Sequence, residues 1–165
     1  MSFDFVQDLF VRLTQFAAGL DSREQVAVLL VFGAIPFIES YFGSFIGTIV
    51  GIDPLIAVPA AVAGNIVCTF LLIALMGRTR NAAMRGREGR PISKGKQRVA
   101  RYLQRFGVPG TIILAAPFLP SQVTSPTLAA LGARKGTVYL WTGIAITLWG
   151  ILFGFFGVQI VEWLA

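Results

Sequence analysis

The sequence predicts an all-α integral membrane protein built as two inverted repeats. Each repeat is a Pro-broken re-entrant helical hairpin followed by one transmembrane helix, and an amphipathic helix precedes the first. Three observations lead there. The first is composition: the chain is 55% hydrophobic and only 13% charged, with a mean hydropathy of +0.73. Ordinary soluble domains carry roughly 25% charge, so this chain lacks the polar groups to cover a water-facing surface and the bilayer is its expected solvent. The second is a weak internal repeat. FGAIPFIESYFGSFIGTIVGID, from Phe32 to Asp53, returns as PFLPSQVTSPTLAALGAR, from Pro117 to Arg134. Aligned without gaps, Pro36/Pro117, Phe37/Phe118, Ser40/Ser121, Ser44/Ser125 and Gly51/Gly132 coincide, and an uncharged run follows each copy. The third is the charge map. Arg78, Arg80, Arg85, Arg87, Arg90, Lys94, Lys96, Arg98, Arg101 and Arg105 face a single acid, Glu88, between hydrophobic segments. A short basic block in that position reads as a cytoplasmic loop under the positive-inside rule.

The elements follow in order within one membrane domain, 1–165. In residues 1–22, Val6, Leu9, Phe10, Leu13, Phe16, Ala17 and Leu20 share a helical face, with Asp8, Arg12 and Gln15 elsewhere. That is an amphipathic helix for the interface or the bundle flank, too charged to cross. Asp4 and Asp8 replace the basic start of a secretory signal. Asp21 with Glu24 three residues on offers a capping box for the next helix.

Repeat 1 covers 25–77. Pro36 removes an intrahelical hydrogen bond and breaks the helix there. The arms on either side are about ten to sixteen residues, roughly 15–24 Å, which reach the bilayer middle and return. The alternative is one kinked spanning helix. Gly43, Gly47 and Gly51 strip one face of side chains for helix packing, and that face could serve a homo-oligomer as well as intrachain contact. Asp53 before Pro54 reads as a helix cap. Pro54 to Gly77 has no charge and gives about 36 Å of helix, enough to cross. Asn65, its most polar residue, suits a helix–helix hydrogen bond.

The basic loop, 78–105, is expected to be irregular, with Gly86, Gly89, Pro91 and Gly95 in it. It is placed to rest on anionic headgroups. Nucleic acid is not an expected partner, because Tyr102 and Phe106 are the only aromatics nearby. Repeat 2 covers 106–165. Pro117 and Pro120, with Pro109 and Pro126, interrupt the first part, whose middle reads Ser121, Gln122, Val123, Thr124, Ser125. Unpaired backbone is tolerated at membrane depth only when buried in protein or lining a wet cavity, so this is the stronger re-entrant candidate. The final helix, from about Gly136 to Leu164, carries Trp141 and Trp163, about 33 Å apart and suited to two interfaces. If each repeat crosses once, the N-terminus, Asp53 and Glu162 lie outside. The basic loop and the Arg134–Lys135 pair then lie inside, and the repeats are inverted.

The candidate site lies at the two breaks: Glu39 at the first, and Ser121, Gln122 and Ser125 at the second, meeting near the midplane. An ionisable residue within a membrane is by default a functional candidate, since burying it costs about 3 kcal/mol. Burial disfavours the charged form of Glu39, while the helix start near Ser40 favours it. A carboxylate so balanced can exchange a proton for a cation or cationic solute. The blander role is a carboxylate facing a headgroup or tying down a helix end. Tyr41 and Gln122 are wall residues. Histidine is absent and Cys68 is the single cysteine. No metal site, cofactor, disulfide or nucleophile–histidine pair is therefore expected, and the chain does not read as an enzyme.

The run AIPFIES with its glycine ladder, then a spanning helix, a basic loop and a Pro-broken hairpin, resembles the bacterial small multi-drug export protein family. That family looks related to the DedA (SNARE-associated, VTT) group of membrane proteins with paired re-entrant helices. The likeness covers about residues 25–160. DedA proteins carry an acid in the first hairpin, where Glu39 stands, and arginines in the second. Pro117 to Pro126 has no arginine, which makes the small-export branch the closer match. The resemblance implies a multi-pass protein of a bacterial plasma membrane. Three functions are then open. One is ion- or proton-coupled export of small solutes, cationic ones among them, with Glu39 as coupling site. Another is DedA-like lipid translocation or scrambling. The third is a non-transporting scaffold that docks a partner on its basic loop. Coupled export is the expectation taken forward.

Overall fold

The computed structural model describes the backbone of residues 3–84 and 94–164, and the side chains of 7–76, 101–159 and 163. Among the described residues there are seven helices and no strand. They fall into two compact units: Met1–Asn65 with Thr147–Ala165, and Ile66–Ile146.

The first unit starts with α1, Phe3–Ala18. Phe10 and Ala17 turn inward, and the Phe10 ring meets Phe42 at 6.0 Å and Phe45 at 5.6 Å. Leu9 and Phe16 of the predicted apolar stripe stay exposed, so the stripe is wider than the surface it meets. α2, Ser22–Ala34, opens with the predicted capping box. Asp21 Oδ1 accepts from the Arg23 and Glu24 amides, and Glu24 Oε2 accepts from the Asp21 amide. It stops at Ile35, which is extended at φ −82°, ψ 125°, because the proline ring of Pro36 disfavours helical backbone at the preceding residue. After the tip, 35–38, the chain re-enters a helix as α3, Glu39–Ile49.

α3 ends in a Schellman turn. Gly51 takes φ +94°, the Ile52 amide reaches the Gly47 carbonyl at 2.9 Å, and the Gly51 amide reaches Thr48 at 3.1 Å. Gly51 has open space around its absent Cβ, so it serves this turn and not the packing face expected of it. Gly43 and Gly47 do pack, since a Cβ on either would lie 3.1 Å from Ala61 Cβ or 2.7 Å from Ala57 Cβ. α4, Pro54–Met84, is capped by Asp53, whose Oδ1 accepts from the Leu55 amide at 2.8 Å. α2 and α4 cross backbone to backbone at Gly33 and Gly64, where a Cβ would strike the carbonyls of Ala61 and Leu30. Leu29, Phe32, Ile38, Ile46, Ala57 and Ala60 form the core of this unit.

The second unit contains α5, Lys94–Ala115, and α6, Ser121–Ala130. α5 is two helices joined at Gly107 (φ +65°, ψ −173°), a conformation open to glycine. Its first part carries basic residues, and Thr111 Oγ1 ties the second part back to the Gly107 carbonyl at 2.6 Å. The basic stretch is thus not an irregular loop throughout. Residues 78–84 continue α4 and 94–105 are helical, Gly95 included. Gly86, Gly89 and Pro91 lie outside the described residues. The physical reason is propensity: Arg, Lys, Gln and Ala are good helix formers whatever their charge. α7 spans Lys135–Leu164. Pro54–Met76 and Lys135–Gln159 are long and apolar enough to cross a membrane by length and composition.

The two hairpins share one design. α6 also ends in a Schellman turn, with Gly132 at φ +101°, the Ala133 amide on Leu128 at 3.0 Å and the Gly132 amide on Ala129 at 3.2 Å. Each of these residues follows its counterpart at the interval that separates Ser40 from Ser121. The boundaries between units, Asn65/Ile66 and Ile146/Thr147, are spaced by that interval too. The second tip, 116–120, is one residue longer than the first.

Candidate functional site at the two helix breaks

Glu39 is the first residue of α3 and is only 2% exposed. The turn that delivers it holds Phe37 at φ +72° and Glu39 at φ +52°. Left-handed backbone is unfavourable for both residue types and collects at functional positions. The break leaves Ile35 as the acceptor for the amides of Ile38 (3.2 Å) and Glu39 (3.0 Å). No side chain caps α3: its N-cap is Ile38, so the only acid in the first turn is Glu39 itself, placed where a helix start favours negative charge. Tyr41 donates to the Phe37 carbonyl at 3.3 Å and packs against Phe42 and Phe153, bracing the tip. Ser40 and Ser44, both buried, lie on the α3 face toward α7. A Cβ on Gly150 would come 3.4 Å from Ser40 Cβ, and one on Gly154 would come 3.1 Å from Ser44 Cβ. Thr48 Oγ1 extends that seam by donating to the Gly154 carbonyl at 2.8 Å.

The second unit brings Ser121, Gln122 and Ser125 together on α6, all buried. Ser121 Oγ lies 3.3 Å from Thr69 Oγ1 of α4 and within 3.5 Å of Gln122 Oε1. Thr142 Oγ1 of α7 donates to Ser125 Oγ at 2.7 Å. The result is a buried hydroxyl and amide cluster without charge. Thr124 Oγ1 is buried there with no hydrogen-bond partner among the described residues, as is Ser44 Oγ in the first unit. Buried hydroxyls left unsatisfied are uncommon, and each can donate to or accept from a guest.

Pro36 and Pro117 lie in exposed turns between helices and Pro120 directly precedes α6, whereas Pro109 and Pro126, also expected to interrupt this stretch, sit inside α5 and α6. Sequence reading missed Thr69, Thr142 and Thr124, hydroxyls spread over three helices. It also missed the seam of Gly150 and Gly154 against Ser40 and Ser44. The repeat gave no signal for the first set, since none of their counterparts carries a hydroxyl. Thr69 stands to Gly150 as Ser40 stands to Ser121, and Thr142 stands to Ala61 in the same way. Among the described residues no three His, Cys, Asp or Glu side chains gather as a metal site. No family model, curated protein or solved structure matches the chain.

Proposed function

We propose that the chain is an integral membrane transporter that couples movement of a proton or other ion to export of small solutes, cationic ones among them. The observation that carries this reading is the near-complete burial of Glu39 at a strained helix break. Keeping a carboxylate there costs about 3 kcal/mol in a bilayer, and a structural role would be met more cheaply by a neutral side chain. Glu39 acts as the coupling group, and Ser121, Gln122 and Ser125 supply neutral hydrogen bonds to the solute. In this reading each hairpin is re-entrant, and the two enter the cell membrane from opposite faces. The likeness of AIPFIES to small multi-drug export proteins supports the same reading. So do the exposed apolar rows Val67, Leu71, Leu75 and Leu140, Ile144, Leu148, which lipid covers better than water.

The test uses proteoliposomes containing wild type or Glu39→Gln, with solute-driven proton flux and fluorescent-lipid flip measured side by side. Coupled flux in wild type, at least tenfold lower in Glu39→Gln, is the expected outcome. Wild-type flux in the variant removes Glu39 from the mechanism. Lipid flip without solute flux favours translocation of lipid, a reading to which the exposed tip residues Phe37 and Phe118 lend themselves.

A further inference from the structure

The first unit contains a cavity of about 350 Å³ between α1 and the first helix break, lined by Leu9, Phe10 and Leu13 on one side and by Ile35 to Ile38, Phe42, Phe45 and Ile46 on the other. Gln7 is its one polar lining residue. The cavity is a half-open groove, and its almost wholly apolar wall offers water few hydrogen-bond partners, whereas hydrocarbon lying in it gains the dispersion contacts that water forgoes. The lining asks for hydrocarbon, and Leu9, Ile35 and Phe37 are exposed beside it, giving an apolar entrance.

We infer that this cavity is a binding site for one alkyl chain of a bilayer lipid, held between α1 and the hairpin tip. The hydrocarbon tail fills the space against Phe10, Leu13 and Ile46, and the exposed Gln7 amide meets the polar end of the chain. The lipid is resident and not cargo. It wedges α1 against the segment that presents Glu39, and recognition is through the tail with the headgroup free to vary. This depends on membrane residence but not on the transport reading, so the two fail separately.

The test reconstitutes the full chain into phosphatidylcholine nanodiscs containing a lipid with a photoactivatable diazirine near the end of one tail. Crosslinked positions are mapped by mass spectrometry. Labelling of residues 7–13 and 35–46 is expected to exceed that of the exposed Val67–Leu71–Leu75 row at least threefold. Leu13→Trp, which occupies the cavity, and Leu9→Trp, at its exposed entrance, are each expected to cut the excess at least threefold. Replacing the headgroup by phosphatidylglycerol is expected to leave it unchanged. Labelling no denser than on the α4 row overturns the inference. So does full labelling in Leu9→Trp, a variant at an exposed position that tolerates bulk, or labelling that follows the headgroup.

Discussion

Glu39 combines two costs that packing alone does not require: a desolvated carboxylate and a left-handed backbone. The second cost is shared with Phe37, whose side chain is 60% exposed and so contributes little burial. Phe37→Gly is therefore expected to raise stability by about 1 kcal/mol, because glycine adopts φ > 0 without the Cβ clash. Thermal unfolding in detergent reads this directly, and a large loss would mean that the phenyl ring is bound by something. Glu39→Gln should fold normally and gain thermal stability while losing coupled flux, the pattern expected of a residue kept for function. In the second unit, Thr142→Val removes the donor to Ser125 and should cost about 1 kcal/mol. The corresponding Ala61→Thr would instead crowd Gly43.

At the scale of helices, the seams of small residues set how closely elements approach. Gly33→Ala and Gly64→Ala each drive a methyl into a facing carbonyl and should cost about 2 kcal/mol or more, since the backbones must part. Gly51→Ala meets nothing but must hold φ +94°, and about 1 kcal/mol is expected. Gly136→Ala, with free space and an ordinary helical position, is the neutral control. Chemical denaturation of the four variants separates contact from conformation. Much of this level was legible in the chain. Pro36, the Asp21–Glu24 box, the Asp53 cap and the long uncharged runs act through neighbours in sequence, and each element begins or ends where they direct. Gly33 and Gly64 were not legible, because their constraint comes from Ala61 and Leu30, on another helix and far off along the chain. The basic segments depart from expectation for a related reason: glycines and one proline mark a loop, yet the flanking residues 78–84 and 94–105 are good helix formers. Glu39 could be singled out because its charge contradicts its surroundings. The hydroxyls around Ser121 could not, since serine and threonine are common in apolar helices and only their convergence distinguishes them.

For the whole molecule, the proposed topology makes a specific claim about sides. In a Cys68→Ala background, Asp53→Cys should react with a membrane-impermeant maleimide added to intact cells, whereas Lys135→Cys should react only after permeabilisation. If Lys135→Cys reacts from outside, the second hairpin crosses completely and the inverted arrangement is lost. The division of the chain adds a constraint of another kind. α4 gives its opening residues to the first unit and its remainder to the second, and α7 does the reverse. The seam of Ser40 and Ser44 thus waits for Gly150 and Gly154. During synthesis the second unit has all its residues once Ile146 has been made, while the first still lacks the wall that Gly150 and Gly154 provide. A nascent chain halted at that residue would hold its later-made half finished and its earlier-made half ajar.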